Sequence, residues 1–124
     1  MDLQIDTHRR GRLVVVTPRG EIDMATSRQF REALEGLVVD GHVHLVVDLD
    51  SVTFLDSTGL GALIGARRRT HAFRGSFALL CAGGELPRAL ELTGLDRVFR
   101  ILDSLPEDDG ALEQAVREDL DDVS

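Results

Sequence analysis

A mixed α/β fold is the class the sequence predicts: one sheet of four to five strands with about four helices packed on it. Three observations carry it. Two short β-patterned runs open the chain around a turn, a β-branched apolar run lies near its middle, and helix-spaced apolar positions then alternate with short apolar strands. That order fits one sheet under helices, because each amphipathic helix needs an apolar face to cover.

Leu3, Ile5 and Thr7 alternate and, after His8-Arg9-Arg10-Gly11, the run Leu13-Val14-Val15-Val16-Thr17 follows, halted by Pro18. This predicts two strands joined by a turn. Thr26 and Gln29 have the spacing of a capping box, and Phe30, Ala33, Leu34, Leu37 and Val38 recur at helical spacing before Gly41. Val43 to Leu49 reads as a central strand covered on both faces. A second helix is expected from about Ser57 to Phe73, closed by Arg74-Gly75, and a further strand over Phe77 to Ala82. After Gly83-Gly84 come a helix over Glu85 to Leu92 and a last strand over Val98 to Leu102. A terminal helix from Asp109 to about Leu120 aligns Leu112, Ala115, Val116 and Leu120 before the end frays. The reading is one domain over 1–124, with its core at about 3–102 and a C-terminal helix and acidic tail at 103–124.

At 124 residues and 43% hydrophobic, the chain can bury a core without staples. No apolar run is long enough to cross a bilayer, and the N-terminus lacks the order of a signal peptide, so a cytoplasmic protein without membrane contact is expected. Cys81, the one cysteine, lies in an apolar stretch and reads as a buried inert thiol. The net charge of −8 sits in the tail: residues 103–124 hold nine acidic residues and one Arg, leaving 13 of each sign in residues 1–102. A neutral body with an acidic tail does not suit a phosphate backbone, which argues against nucleic acid. All 14 basic residues are Arg. Without Lys, a Walker-type loop, Schiff-base chemistry and a receiver-type phosphoaspartate site are excluded.

His8, His42, His44 and His71 show no zinc-site spacing, so neither a metal nor a cofactor is expected. Arg67, Arg68, Arg69 and Arg74 suit the negative end of the second helix and read as a solvated face, with a phosphate or lipid-headgroup contact as the alternative. Asp56-Ser57 lacks the Gly-x-Ser-x-Gly elbow and a His base, so no catalytic residue is assigned.

The informative stretch runs from Asp48 to Gly65, where a buried strand turns into a helix start at Asp56-Ser57-Thr58-Gly59-Leu60-Gly61. Ser57 falls where an N-cap belongs, and capping alone would explain it. Gly59, Gly61 and Gly65, however, each cost the helix on the order of 1 kcal/mol relative to Ala, which calls for a close approach. Gly61 and Gly65, four apart, leave a stripe of bare backbone that another surface could touch.

The DSTGLG element after a strand resembles the signature of the STAS domain family, in particular bacterial anti-sigma factor antagonists. Further matches are Gly20-Glu21-Ile22-Asp23, Asp48-Leu49 and Leu92-Thr93-Gly94-Leu95, in the family's order, over roughly residues 3–120. The resemblance implies the STAS fold and a non-enzymatic role. It further implies that an anti-sigma factor that is also a serine kinase would phosphorylate Ser57, that a serine phosphatase would reverse this, and that only the unphosphorylated protein would bind the anti-sigma factor. Gly20, Glu21, Ile22, Asp23, Asp56, Ser57, Thr58, Gly59, Leu60 and Gly61 would form the docking surface, with Thr58 a competing hydroxyl. The alternative is a STAS module that binds its partner constitutively in a lipid-transport or signalling complex, with Ser57 only a cap.

Overall fold

The computed structural model describes residues 3–121, with side chains as far as Arg117. Six strands are present among the described residues: β1 (Gln4–Arg10), β2 (Leu13–Ile22), β3 (His44–Asp48), β4 (Val52–Leu55), β5 (Ser76–Leu80) and β6 (Arg100–Leu102). The sheet order is β1-β2-β3-β5-β6, with β4 paired to the far end of β2. β1 is antiparallel to β2, and all other pairs are parallel. The helices are α1 (Ser27–Val39), α2 (Ser57–Ala72), α3 (Leu86–Leu92) and α4 (Asp109–Asp121), with a 3-10 turn at Leu95–Arg97. Among the described residues, no helix is long and apolar enough to cross a membrane.

The period of two in β2 sorts its side chains between two cores. Val14 and Val16 join Leu45, Val47, Phe77 and Leu79 beneath α1, α2 and α3, while Leu13 and Val15 join Val46, Ala78, Leu80 and Leu102 beneath α4. Leu112 and Val116 of α4 fill the second core, with Ala115 at its edge; the side chain of Leu120 lies outside the described residues. The central strands are therefore covered on both faces, as their β-branched composition predicts.

Three features depart from the sequence reading. β2 continues through Pro18 to Ile22. Its parallel pairing to β3 ends at Val16 and that to β4 begins at Gly20, so Pro18 falls where neither parallel neighbour pairs. The sixth strand, β4, occupies a stretch read as a turn. The capping box at Thr26 does not form either: Thr26 Oγ1 donates to Glu21 O (2.7 Å), while Gln29 Nε2 donates to Leu3 O (2.8 Å).

Of the arginine run, Arg69 pairs with Glu35 at 2.9 Å and ties α2 to α1, whereas Arg67 Nε is buried without a partner among the described residues. That part of the run is packed rather than simply solvated. Arg74 closes α2 at φ 60°, a left-handed conformation that costs a residue with a Cβ roughly 1 kcal/mol.

His44, the first residue of β3, bonds through Nδ1 to the buried Ser76 Oγ (2.9 Å). Burial lowers its pKa below 6.5, Arg117 and Arg12 add to the effect, and Glu113 opposes it. A lowered histidine pKa means stability that is full above the unfolded value and lost as pH falls through the folded one. His44→Gln removes this titration while keeping polar groups near Ser76. In urea melts between about pH 7.5 and about pH 5, the stability difference between wild type and variant should shrink on acidification. A difference independent of pH would refute the role of His44.

Candidate functional site at the start of helix α2

The site is built where β2 and β4 end side by side. Gly20, at φ 119°, allows the irregularity between Gly20 and Glu21 that switches β2 onto its new partner, and its N–H donates to Ser51 O (3.1 Å). Glu21 then pairs with Phe54 and Ile22 with Leu55, and the Asp56 N–H donates to Ile22 O (3.2 Å). Asp23 and Asp56 thus each lie one residue beyond the final pair, which brings the Gly20–Asp23 segment and the DSTGLG element together.

Beyond Asp23 the chain is locked by short-range bonds. Asp23 Oδ1 accepts from Ala25 N (2.9 Å) and Thr26 N (3.2 Å), and Thr26 Oγ1 accepts from Asp23 N (3.0 Å). The turn holds Met24 out at 81% exposure, and Phe54 on β4 is 51% exposed. Neither residue was singled out from the sequence. Phe54 was legible in the run Val52-Thr53-Phe54-Leu55 once a strand is assigned there; nothing marks Met24.

Asp56, not Ser57, is the N-cap of α2. Its backbone is extended (φ −100°, ψ −172°), and Oδ1 accepts from Thr58 N (2.9 Å), Gly59 N (3.2 Å) and the Thr58 hydroxyl. The Thr58 hydroxyl, then the N–H groups of Gly59 and Thr58, hold the Asp56 carboxyl below its ordinary pKa against the raising effect of desolvation. Asp56 therefore fills the place at the helix mouth that a free anion would take.

Ser57 is the first residue of the helix and is exposed. Its hydroxyl bonds to no described residue, so no base is poised to activate it as a nucleophile. Glu21, Asp23, Thr58 and Leu60 are half-buried around it, Gly20 and Asp56 likewise, and Gly61 is exposed with open space where a Cβ would go.

Two residues expected at the surface lie in the core. Ile22 is 0% exposed, and Gly59 is buried against it: a Cβ on Gly59 would come within 2.4 Å of Leu55 Cδ1 and 2.7 Å of Ile22 Cγ2. The close approach at Gly59 is internal, seating α2 on the ends of β2 and β4. Gly61 differs, being a bare surface position. A Cβ on Gly65 would meet Arg69 Nη1 at 3.1 Å, so the second half of the expected stripe is partly roofed by an arginine.

Alongside the site, a groove of about 760 Å³ runs between β4 and the Gly83-Gly84 turn, walled by Val52, Phe54 and Leu86. Cys81 lines its floor, 4% exposed, with its thiol pushed up to about 12 by burial and by Asp50 and Asp48. Among the described residues, no group of three or more His, Cys, Asp or Glu side chains is placed to hold a metal ion.

The STAS domain family model matches residues 4–107. The anti-sigma-B factor antagonist of Listeria monocytogenes is 37% identical over 82 residues, which are 66% of this chain and 72% of that protein. The crystal structure of an anti-sigma factor antagonist from Mycobacterium paratuberculosis is 31% identical, with a TM-score of 0.79 over 94% of this chain and 95% of that one. The Bacillus cell fate determinant SpoIIAA in its phosphorylated form shares the fold at 23% identity, with a TM-score of 0.67 over 91% of this chain and 98% of its own. A sheet with the DSTGLG element at its edge and the family match across most of its length place this chain in the STAS domain family.

Proposed function

We propose that the protein is an anti-sigma factor antagonist that binds an anti-sigma factor when Ser57 is unmodified and releases it when Ser57 is phosphorylated. The anti-sigma factor is itself the serine kinase, and a serine phosphatase restores the active form. The protein acts by docking rather than by catalysis. The observation that carries this reading is the Ser57 hydroxyl, exposed and unbonded at the mouth of α2, while the neighbouring Thr58 hydroxyl is committed to Asp56. A kinase reaching this edge meets one free acceptor.

The docking surface is the edge formed by Gly20, Glu21, Asp23, Asp56, Ser57, Thr58, Leu60 and Gly61. Phe54 and Met24 add the exposed apolar area from which interface anchors are drawn. Phosphorylation adds about −1.5 to −2 charges. Placed beside Asp56, at the edge that also carries Glu21 and Asp23, that charge must be stripped of water when a partner docks, while the positive end of the α2 dipole keeps the modified helix intact.

The test is phosphate transfer. Incubated with its cognate anti-sigma kinase and ATP, the protein should gain a single phosphate by intact mass. Ser57→Ala should gain none and still bind the kinase. A phosphate that persists on Ser57→Ala would overturn the assignment, and loss of binding by Ser57→Ala would overturn the docking model.

A further inference from the structure

We propose that the recess formed by Arg12, His44, Arg74 and Arg117 is a binding site for a small phosphate-bearing anion. It lies where β2, β3 and β5 begin, under the final turns of α4, and has a volume of about 180 Å³. Ser57 and Arg74 stand at opposite ends of α2, whose 16 residues separate them by about 24 Å. The recess is therefore separate from the edge assigned to the anti-sigma factor, and nothing in this inference rests on that assignment.

The charge in the recess runs against that of the molecule. The chain carries −8 overall, yet three of its 14 arginines converge here. None of the three guanidinium groups has a hydrogen-bond or ion-pair partner among the described residues. Among the described residues Glu113 is the one carboxylate in the lining, and its Oε1 already accepts the Arg12 backbone N–H (2.7 Å). His44 is held by Ser76 through Nδ1, which leaves Nε2 for a ligand. The site thus sets three arginines and a ring nitrogen against a single described carboxylate, Glu113. Guanidinium forks match phosphate oxygens in pairs.

Two further observations agree. Burial is the main reason the His44 pKa is lowered, and Arg117 and Arg12 push it the same way against Glu113, as positive charge beside the ring would. Arg74 holds its position from a left-handed backbone conformation that glycine would adopt without strain. Size sets the ligand class: the space is below the roughly 300 Å³ at which pockets for drug-sized molecules begin. It suits inorganic phosphate or the phosphate of a small monoester, with the remainder of any larger molecule outside.

The experiment titrates inorganic phosphate into the whole protein at constant ionic strength, with chloride as the balancing salt, and follows the His44 ring proton by NMR, assigned through His44→Gln. A saturable shift is expected, together with a loss of affinity of about tenfold in each of Arg74→Gly and Arg12→Gln. Arg74→Gly relieves backbone strain, so its loss of binding cannot be ascribed to misfolding. O-phosphoserine in place of phosphate separates the sources: tighter binding identifies a monoester, weaker binding the free ion. A shift that rises without saturating, equals that given by chloride, or is unchanged in Arg74→Gly would overturn the site.

Discussion

Replacing Ser57 with Asp is expected to weaken binding of the anti-sigma factor by about a hundredfold, with the fold unchanged. The magnitude follows from where the new charge lands. Asp56 already occupies the helix mouth and takes the N–H groups of Thr58 and Gly59. A second carboxylate at position 57 finds those donors in use and projects outward from the first helical residue, into the surface assigned to the partner. Stranding a charge in an interface, or setting it against a like charge, costs several kcal/mol, and about 3 kcal/mol corresponds to a hundredfold in Kd. Asp carries less charge than phosphoserine, so the kinase-modified protein should bind more weakly still. Isothermal titration of the anti-sigma factor with wild type, Ser57→Ala and Ser57→Asp decides the matter. The variant should retain the wild-type melting temperature, because an acidic residue in the first turn complements the helix dipole. If Ser57→Asp binds as wild type does, Ser57 is no switch, and the constitutive-module reading takes its place.

The sequence already showed a central strand covered on both faces. Leu13-Val14-Val15-Val16 and Leu45-Val46-Val47 are continuous apolar runs, and the structure sends alternate members to opposite cores. Strand-then-DSTGLG likewise located the start of α2, because a buried strand ahead of a glycine-rich helix start leaves few places for the helix to begin. What stayed hidden was decided by long-range partners. Pro18 looks like a terminator until β2 is seen to change parallel neighbours around it. Val52–Leu55 is four residues long with two exposed side chains, and only the end of β2 makes it a strand. Thr26 and Gln29 have capping-box spacing, yet the Glu21 carbonyl and the Leu3 carbonyl claimed their side chains. In Asp56-Ser57-Thr58, all three side chains are able to cap; the bond from Asp56 N–H to Ile22 O helps fix the register that makes Asp56 the cap and leaves Ser57 free. Gly59 and Gly61 read alike in sequence, and only packing separates the buried glycine from the bare one.

Among the glycines, the largest stability effect is expected far from the site, at Gly75. The C-terminus of α2 closes through bonds from Arg74 N–H to His71 O (3.0 Å) and from Gly75 N–H to Thr70 O (2.7 Å), after which the chain enters β5 at once. The turn is so tight that a Cβ on Gly75 would lie 1.8 Å from Val43 O and 2.7 Å from Val43 C. Backbone cannot yield as a side-chain tip can, and Val43 O already accepts the Ser76 N–H (2.9 Å) that starts the β3–β5 pairing. Gly75→Ala must therefore push β3 and β5 apart at their first residues or unwind the end of α2. Either course should cost about 3 kcal/mol or more, a drop of about 10 °C in Tm. Gly61→Ala provides the control, since its Cβ enters open space and alanine is the better helix former, so stability should rise by up to about 1 kcal/mol. Urea melts of the two variants should move in opposite directions. Were Gly75→Ala to melt within a few tenths of a kcal/mol of wild type, the contact between α2's end and β3 would not be the constraint that sets the register of the sheet.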